Sequence, residues 1–359
     1  MAGLAAAITA ARAGAKTTIF EERGRVGQKI LATGNGKCNL GNTAKEPWLK
    51  YNNPGFVRSI LSEYGVNAAF WRSVGVKLFE ADKRLYPHSL QASQVLNALR
   101  SAAESADVET VTASGVSDKD IAPNGKGGYL VFSRPFKKLI LASGSGAGIG
   151  CESYFAAMKF GHALMPVYPI LGPLITDKST LKGLKGVRLP AHVRAKADGK
   201  TVAEASGEVI FKDNGVSGTA VFDLSVFLGR LGYPAADLYF DFVPELTPEE
   251  LKEELKEFPV ESFVHKELAR NILSMGNPEK LLKAYPVYRA KAGSMELAQA
   301  ATGGLRTDEF SDMTLESKLS PGFFAAGEVL DVDGECGGFN LMWATASGQA
   351  AAKGALSGL

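Results

Sequence analysis

The sequence predicts an α/β protein in which a doubly wound, Rossmann-like sheet is interrupted by a β-barrel-like insertion and a small helical segment. Three observations support this fold class. The chain starts with an Ala-rich helical pattern followed by a strand that ends in acidic residues. It finishes with a buried strand, a cluster of glycines and a second small-residue helix, and a long stretch of short strands separates the two ends.

The N-terminal segment resembles the second half of a dinucleotide-binding βαβ unit. Residues 2–13 are helical in pattern, residues 16–20 alternate as a strand, and Glu21 and Glu22 follow. In such units a G-x-G-x-x-G turn approaches a pyrophosphate, and an acid after the second strand binds a ribose. Gly3 matches the third glycine and Glu21 the acid, whereas the first strand and the first two glycines are missing. By itself, Glu21 fits a solvated strand end equally well.

Glycines mark two further segments before the insertion. Residues 25–42 have no sustained period and contain four glycines, which predicts a long, ordered and functional loop. A buried strand over 139–142 runs into Gly144, Gly146, Gly148 and Gly150, which match a nucleotide-binding motif only in part, so we expect no separate NAD fold there. The remaining predictions before the insertion are helices over 55–76 and 89–106 and strands over 108–116 and 129–132.

The middle of the chain has a different pattern. From Pro166 to Phe242 short strands alternate with turn residues, which predicts a β-rich domain. Thr247, with a proline after it and Glu250 three positions later, forms a capping box that opens a helical segment. The predicted domains are 1–165 with 294–359, then 166–243 with about 285–293, and the helical subdomain 244–284.

The strongest functional signal lies near the C-terminus. A buried strand over 323–326 delivers Gly327 and Glu328, and Gly337 and Gly338 then open a helix of small residues. A helix N-terminus carries free N–H groups and about half a positive charge, which suits a phosphate or a reduced flavin ring. The intervening DVDGE lacks the full spacing of a calcium loop, whereas an ordinary surface turn stays an alternative.

Composition and charge limit the classes of partner. The chain has 359 residues, 45% of them hydrophobic, and 40 Lys and Arg against 38 Asp and Glu, so we expect a globular protein without a nucleic-acid partner. No apolar run reaches the roughly 18 residues of a membrane span, and no basic region precedes the small-residue start. Cys38, Cys151 and Cys336 are too scattered for a disulfide framework or a metal site. We therefore expect a cytoplasmic protein with no metal and no membrane partner.

Several motifs together resemble one family. LATGNGKCN, GVSGTAV, PELTPEEL and MTLESKLSPGFFAAGEVLDVDGECGGFNLMWA are similar to segments of the bacterial aminoacetone-oxidase-like (BaiN-type) flavoproteins, a group of FAD-dependent oxidoreductases. The resemblance covers nearly the whole chain. It implies an FAD domain split in sequence, an inserted β-barrel-like domain and a helical subdomain. It also implies an initial strand and leading glycines that this sequence lacks, and a different loop where this chain has SGSGAGIGCESYF.

The resemblance implies FAD-binding roles for individual residues. Gly3 would face the pyrophosphate, Glu21 with Glu22 the adenosine ribose, and the backbone of Val116 the adenine. Lys29 and the loop that follows it would surround the flavin; the loop residues are Thr33, Gly34, Asn35, Gly36, Lys37, Cys38 and Asn39. Ser143 and Gly144, at the end of the 139–142 strand, and Gly327 and Glu328, in the C-terminal cluster, would also contact FAD. The isoalloxazine edge would be contacted by Gly337, Gly338, Phe339, Asn340 and Leu341.

These observations favour an FAD-dependent oxidoreductase that transfers a hydride between flavin N5 and a small organic substrate, with NAD(P)H or oxygen recycling the flavin. The sequence identifies no catalytic acid or base. Tyr86 and His88 are candidates to line the cavity, although His88 is more typical of a surface histidine and Cys38 of a small buried hydrophobe. Because the phosphate-binding turn is incomplete, the alternative is a flavin-free or weakly flavin-binding module. The sequence gives no oligomeric state.

Overall fold

The computed structural model describes residues 1–32, 36–125, 127–147 and 153–357 and divides into two compact units. The first unit comprises Met1–Val167 and Ala301–Leu359, and the second comprises Tyr168–Ala300. Several residues that the sequence singled out lie outside the described ranges, namely Thr33, Gly34, Asn35, Gly148, Gly150 and Cys151.

The α-helices are α1 (Ala2–Arg12), α2 (Pro54–Tyr64), α3 (Ala68–Ser73), α4 (Ala92–Ser105), α5 (Ser153–Lys159), α6 (Thr219–Arg230), α7 (Pro248–Glu257), α8 (Lys266–Met275), α9 (Pro278–Lys283) and α10 (Phe339–Leu356). The strands are β1 (Thr18–Phe20), β2 (Gly41–Asn42), β3 (Leu78–Ala81), β4 (Arg84–Pro87), β5 (Glu109–Val111), β6 (Ile121–Pro123), β7 (Tyr129–Val131), β8 (Arg134–Phe136), β9 (Leu139–Leu141), β10 (Leu164–Ile170), β11 (Leu174–Ile175), β12 (Arg188–Ala197), β13 (Lys200–Lys212), β14 (Gly215–Ser217), β15 (Ala236–Asp241), β16 (Tyr285–Ala292), β17 (Ala300–Leu305) and β18 (Phe323–Ala325).

Two parallel strand pairs organise the first unit. β1 pairs with β5, with Phe20 opposite Val111, and β9 pairs with β18, with Leu141 opposite Ala325. Because parallel strands end at the same edge of a sheet, the segments that follow each pair emerge together. This arrangement places the segments after β9 and β18 side by side.

The central helix of this unit is α10, which is buried on almost every side and packs against α1. A helix that is apolar all round belongs in a core, and its small residues let α1 approach closely. A methyl group added at Gly348 would clash with the carbonyl group of Ala2 and lie 3.1 Å from Cβ of Ala5. The same addition at Gly3 would meet only Cβ of Ala142, at an ordinary 3.5 Å. The close approach of the two helices therefore depends on Gly348.

The second unit is built on a closed barrel with the strand order β11-β14-β13-β12-β15-β16. Its longest pairing is the antiparallel hairpin of β12 and β13, with a bulge between Ala195 and Lys196. Strands β10 and β17 pair with one another and carry the chain between the two units. The predicted α/β fold class with a barrel-like insertion is confirmed.

The prediction of short strands alone between Pro166 and Phe242 is wrong for α6. This helix starts after Gly218, whose φ of 104° is a backbone conformation that favours glycine. The helix buries four apolar side chains, those of Ala220, Val221, Leu224 and Leu228. Their spacing is helical, but the apolar residues are dense enough to be mistaken for a buried strand.

Helices α7, α8 and α9 share the hydrophobic core of the barrel unit through Leu251, Leu268, Ile272 and Leu282, all fully buried. The predicted capping box opens α7. The Thr247 hydroxyl accepts a hydrogen bond from the Glu250 backbone N–H, and the Glu250 carboxylate accepts one from the backbone N–H of Thr247.

Candidate functional site

A polar cluster forms where β9 and β18 end. The Lys29 ammonium donates to Oε2 of Glu328 at 2.6 Å and to the hydroxyl of Ser145 at 3.4 Å. The other carboxylate oxygen of Glu328 accepts a hydrogen bond from the backbone N–H of Ala301 at 2.9 Å. Three chain segments that are distant in sequence thus meet at one ion pair.

Gly144 lies directly beside this ion pair. It has a φ of 80°, and a methyl group added there would lie 3.9 Å from the Glu328 carboxylate and 4.0 Å from the Lys29 ammonium. Neighbouring Ser143 is exposed, whereas Ser145 is buried and its hydroxyl also accepts the backbone N–H of Ala147. Gly144 therefore brings the chain to van der Waals distance of both charges without a side chain in between.

The acidic residues after β1 lie against the segment that follows β5. The Glu21 carboxylate accepts the backbone N–H of Arg23, and the Glu21 backbone pairs with Val111 and Ser114. The side chain of Glu22 lies over Gly115, beside Val116. The structure therefore brings the residues predicted for ribose and adenine into one neighbourhood.

The loop between β18 and α10 is fixed by side-chain hydrogen bonds. The Asn340 amide forms two bonds with the backbone of Gly334, and the Tyr51 hydroxyl donates to the carbonyl oxygen of Phe339 at 2.6 Å. Asn42 donates to the carbonyl oxygen of Gly337 at 3.0 Å. Burial also raises the pKa of Tyr51 well above its usual value, so this phenol stays a donor. The loop is held from several sides.

Gly338 occupies the tightest position of this loop. Its φ is 95°, and an added methyl group would clash with the side-chain oxygen of Asn39 and with the carbonyl oxygen of Gly41. That Asn39 oxygen is buried and has no hydrogen-bond partner among the described residues. An unpaired buried acceptor costs about 1–3 kcal/mol, so a donor on a bound molecule would relieve this cost.

The other predicted loop residues vary in exposure. Cys38 is fully buried with a φ of 59°, Gly36 has a φ of 81°, and Lys37 is exposed. Phe339 is buried, with its ring against that of Tyr51, and Leu341 is partly buried.

The residues that the sequence analysis missed are polar side chains without a motif of their own. Ser145, Asn42 and Tyr51 hold the predicted residues in place, and Asn52 binds the backbone N–H of Asp333 and the carboxylate of Asp331. Such residues are recognisable only once the fold brings their partners close. The only available signal was the position of Ser145 next to Gly144.

These features fit FAD as the group the site would hold. A dianionic pyrophosphate suits the Lys29 ammonium, the Ser145 hydroxyl and the absence of a side chain at Gly144, while the N-termini of α1 and α10 have no side-chain cap. The unpaired oxygen of Asn39 suits a ring N–H. Within the described ranges, no three His, Cys, Asp or Glu side chains are grouped closely enough to hold a metal, and no helix is long and apolar enough to span a membrane.

Comparison with known proteins agrees with this fold. A family model described as the HI0933-like protein Rossmann domain matches residues 1–354. The chain is 31% identical to the 3-dehydro-bile acid delta(4,6)-reductase of Clostridium scindens over 98% of this chain and 96% of that protein. It is 28% identical to the ribosomal RNA dihydrouridine synthase of Haemophilus influenzae, over 98% of this chain and 95% of that protein.

Among solved structures, a quinol-fumarate reductase with menaquinol matches with a TM-score of 0.50 at 15% identity, over 99% of this chain and 69% of that chain. This likeness concerns the fold alone. The family model, by contrast, spans almost the entire sequence, and the relatives are oxidoreductases, as predicted. The chain therefore belongs to the HI0933-like Rossmann-domain family, which comprises aminoacetone-oxidase-type FAD-dependent oxidoreductases.

Proposed function

We propose that the protein binds FAD in the first unit and reduces a carbon–carbon double bond of a small organic substrate, with NAD(P)H supplying the hydride that re-reduces the flavin. The observation that carries the proposal is the cluster of Lys29, Glu328, Ser145 and Gly144 at the ends of β9 and β18. It places a fixed positive charge and a glycine at the carboxyl ends of two parallel strands, the edge at which open α/β sheets bind their ligands.

Each residue of the cluster has a separate task in this proposal. Glu328 holds the Lys29 ammonium, and because its second oxygen is bound to Ala301 it cannot swing away. Lys29 then offers its remaining N–H donors to a phosphate oxygen. Gly144 allows a diphosphate to approach without a side chain in between. The site residues beyond this cluster, including Glu21, Val116 and the 337–341 segment, are proposed to contact the rest of FAD.

FAD, when bound, would supply two-electron hydride transfer at its N5 atom. The protein's own contribution is then orientation, exclusion of water and charge. The uncapped N-terminus of α10, fixed by the Asn340 and Tyr51 hydrogen bonds, offers a partial positive charge beside the Gly338 turn. Such a charge favours an electron-rich ring, because it stabilises negative charge that builds up on reduction.

The type of substrate follows from the names of the relatives. A delta(4,6)-reductase and a dihydrouridine synthase are both named for the saturation of a carbon–carbon double bond. We favour a small molecule over ribosomal RNA because the chain has a net charge of only +2. The cytoplasm, expected from the sparse and scattered cysteines, remains the proposed location.

The test starts with the purified protein. We expect it to bind FAD, either as isolated or after reconstitution, and to accept electrons from NADH or NADPH under anaerobic conditions. The reduced protein is then mixed with a small α,β-unsaturated ketone, with a ribosomal RNA transcript or with air. Reoxidation of the flavin by the ketone supports the proposal. If only the RNA transcript reoxidises the flavin, the substrate is RNA and the proposed small-molecule substrate is wrong. A colourless protein that cannot be reconstituted would exclude the flavin-dependent function and leave a binding module.

A further inference from the structure

The small antiparallel sheet β2-β4-β3 presents a partly exposed aromatic face. Phe79 and Tyr86 are directly paired across β3 and β4, with ring centroids 5.9 Å apart. The His88 ring lies 6.0 Å from that of Phe79 at a steep angle. Phe79 and Tyr86 are half-buried and His88 is exposed. Three neighbouring rings therefore form a shallow surface that no described part of the chain covers completely.

The opposite face of the same sheet is an ordinary core face. Leu85 and Pro87 are buried, and Leu85 packs over Gly41 near Met342. Strand alternation thus separates an apolar inner face from a face that carries Arg84, Tyr86 and His88. The exposed aromatic rings are not a by-product of core packing.

This aromatic face also carries positive charge. Arg84 is the cross-strand partner of Ala81 on one side and of Asn42 on the other, and Lys77 pairs with His88 through the backbone. Neither Arg84 nor Lys77 has an ion-pair partner within the described ranges of the chain. The side chain of Arg84 is only partly exposed. An anionic group on a bound molecule would find a donor beside the rings.

The face is continuous with the candidate FAD site. Asn42, which shares a face with Arg84 through the β2–β4 register, donates to the carbonyl oxygen of Gly337. Gly337 precedes the Gly338 turn at the N-terminus of α10. Arg84 is therefore the part of the face nearest to Gly337, and a molecule lying on Tyr86 and Phe79 would approach that site with the end that Arg84 binds.

We propose that this face, formed by Phe79, Tyr86, His88, Arg84 and Lys77, binds the substrate, and that the substrate is a planar apolar molecule carrying an anionic group. This inference rests on the proposed function, since it assigns the substrate class of the same site. The rings stack on the flat apolar part, and Arg84 binds the anion at the end of the face nearest to Gly337, so the reacting bond lies beside the anionic group.

The experiment uses two fluorescent probes, pyrene-1-butyrate and the neutral pyrene-1-butanol, titrated into the full chain with and without FAD. Arg84→Gln is expected to weaken pyrene-1-butyrate binding about tenfold and to leave pyrene-1-butanol unchanged. Tyr86→Leu, which keeps an apolar side chain, is expected to weaken both probes several-fold. Arg72→Gln, at an exposed arginine of α3, is the matched control and should change neither.

FAD content is measured for every variant, so the two proposals fail separately. If FAD does not bind but the probes respond as expected, the proposed function fails and the binding face stands. If FAD binds normally and neither variant changes the affinity of either probe, the substrate face is wrong. An equal decrease in affinity for both probes in Arg84→Gln would also contradict the proposed substrate face, because Arg84 would then not recognise the anionic group specifically.

Discussion

The Lys29 ammonium and the Glu328 carboxylate lie 2.6 Å apart, although 299 positions separate them in the chain. Their side chains are 34% and 17% exposed, so the pair is only partly shielded from water. A partly exposed pair contributes little to stability, usually less than about 1 kcal/mol. Under the proposed function, its position beside Gly144 and Ser145 serves FAD binding rather than stability.

Lys29→Met is expected to weaken FAD binding about tenfold or more and to change the free energy of unfolding little. The variant removes a charged donor to the pyrophosphate, and hydrogen bonds to charged groups are worth about 1.5–3 kcal/mol. FAD titration by fluorescence and urea unfolding measure the two effects. Lys45→Met, at an exposed lysine, is the control and should leave both values unchanged. Unchanged FAD affinity in Lys29→Met would exclude Lys29 from the site.

Gly348→Ala is expected to destabilise the protein by about 2–4 kcal/mol, because the added methyl group would push α1 away from α10. Gly3→Ala is the matched control and should leave the free energy of unfolding unchanged or slightly higher, since its methyl group meets Ala142 at normal distance. Urea unfolding of both variants decides the point. If Gly3→Ala lowers the free energy of unfolding more than Gly348→Ala does, then Gly3, and not Gly348, determines how closely α1 and α10 pack.

The sequence was sufficient where the signal is local. The helical pattern at residues 2–13, the capping box at Thr247 and the buried strand before Gly327 depend on neighbours within a few positions. It was insufficient for contacts between distant segments. The Lys29–Glu328 pair and the clash at Gly348 depend on which residues the fold brings together. Helix α6 was missed because a densely apolar segment hides its helical period.

Asn340→Ala is expected to lower the free energy of unfolding by about 1–3 kcal/mol, because both hydrogen bonds to Gly334 are lost. Asn340→Asp keeps the acceptor for the Gly334 N–H and places a negative charge near the N-terminus of α10, so the loss should be smaller. Urea unfolding at neutral pH compares the two variants. Equal decreases in the free energy of unfolding for the two variants would show that the hydrogen bond from the Gly334 N–H to the side chain of residue 340 does not stabilise the loop.

His162 is a fully buried histidine held by two different partners. Its Nδ1 lies 2.9 Å from the carboxylate of Glu309 and its Nε2 lies 2.9 Å from the hydroxyl of Ser317. The Ser317 oxygen already accepts the backbone N–H groups of Leu319 and Ser320, so its proton points at Nε2. The ring is also stacked on Phe310 with centroids 4.4 Å apart. The site is therefore built for a neutral imidazole with its proton on Nδ1.

Burial lowers the pKa of His162 below its ordinary value of 6.5, although Glu309 opposes the shift. Because the folded-state pKa lies below the unfolded one, the stability from neutral His162 is complete above pH 6.5 and is lost as the pH falls through the folded pKa. We expect the free energy of unfolding to fall in that range by at most about 1.4 kcal/mol per pH unit from this group. In His162→Gln the free energy of unfolding should depend less steeply on pH, whereas His88→Gln, at an exposed histidine, should keep the dependence of the original protein. Urea unfolding between pH 5 and 8 measures all three proteins, and an unchanged slope in His162→Gln would assign the acid sensitivity elsewhere.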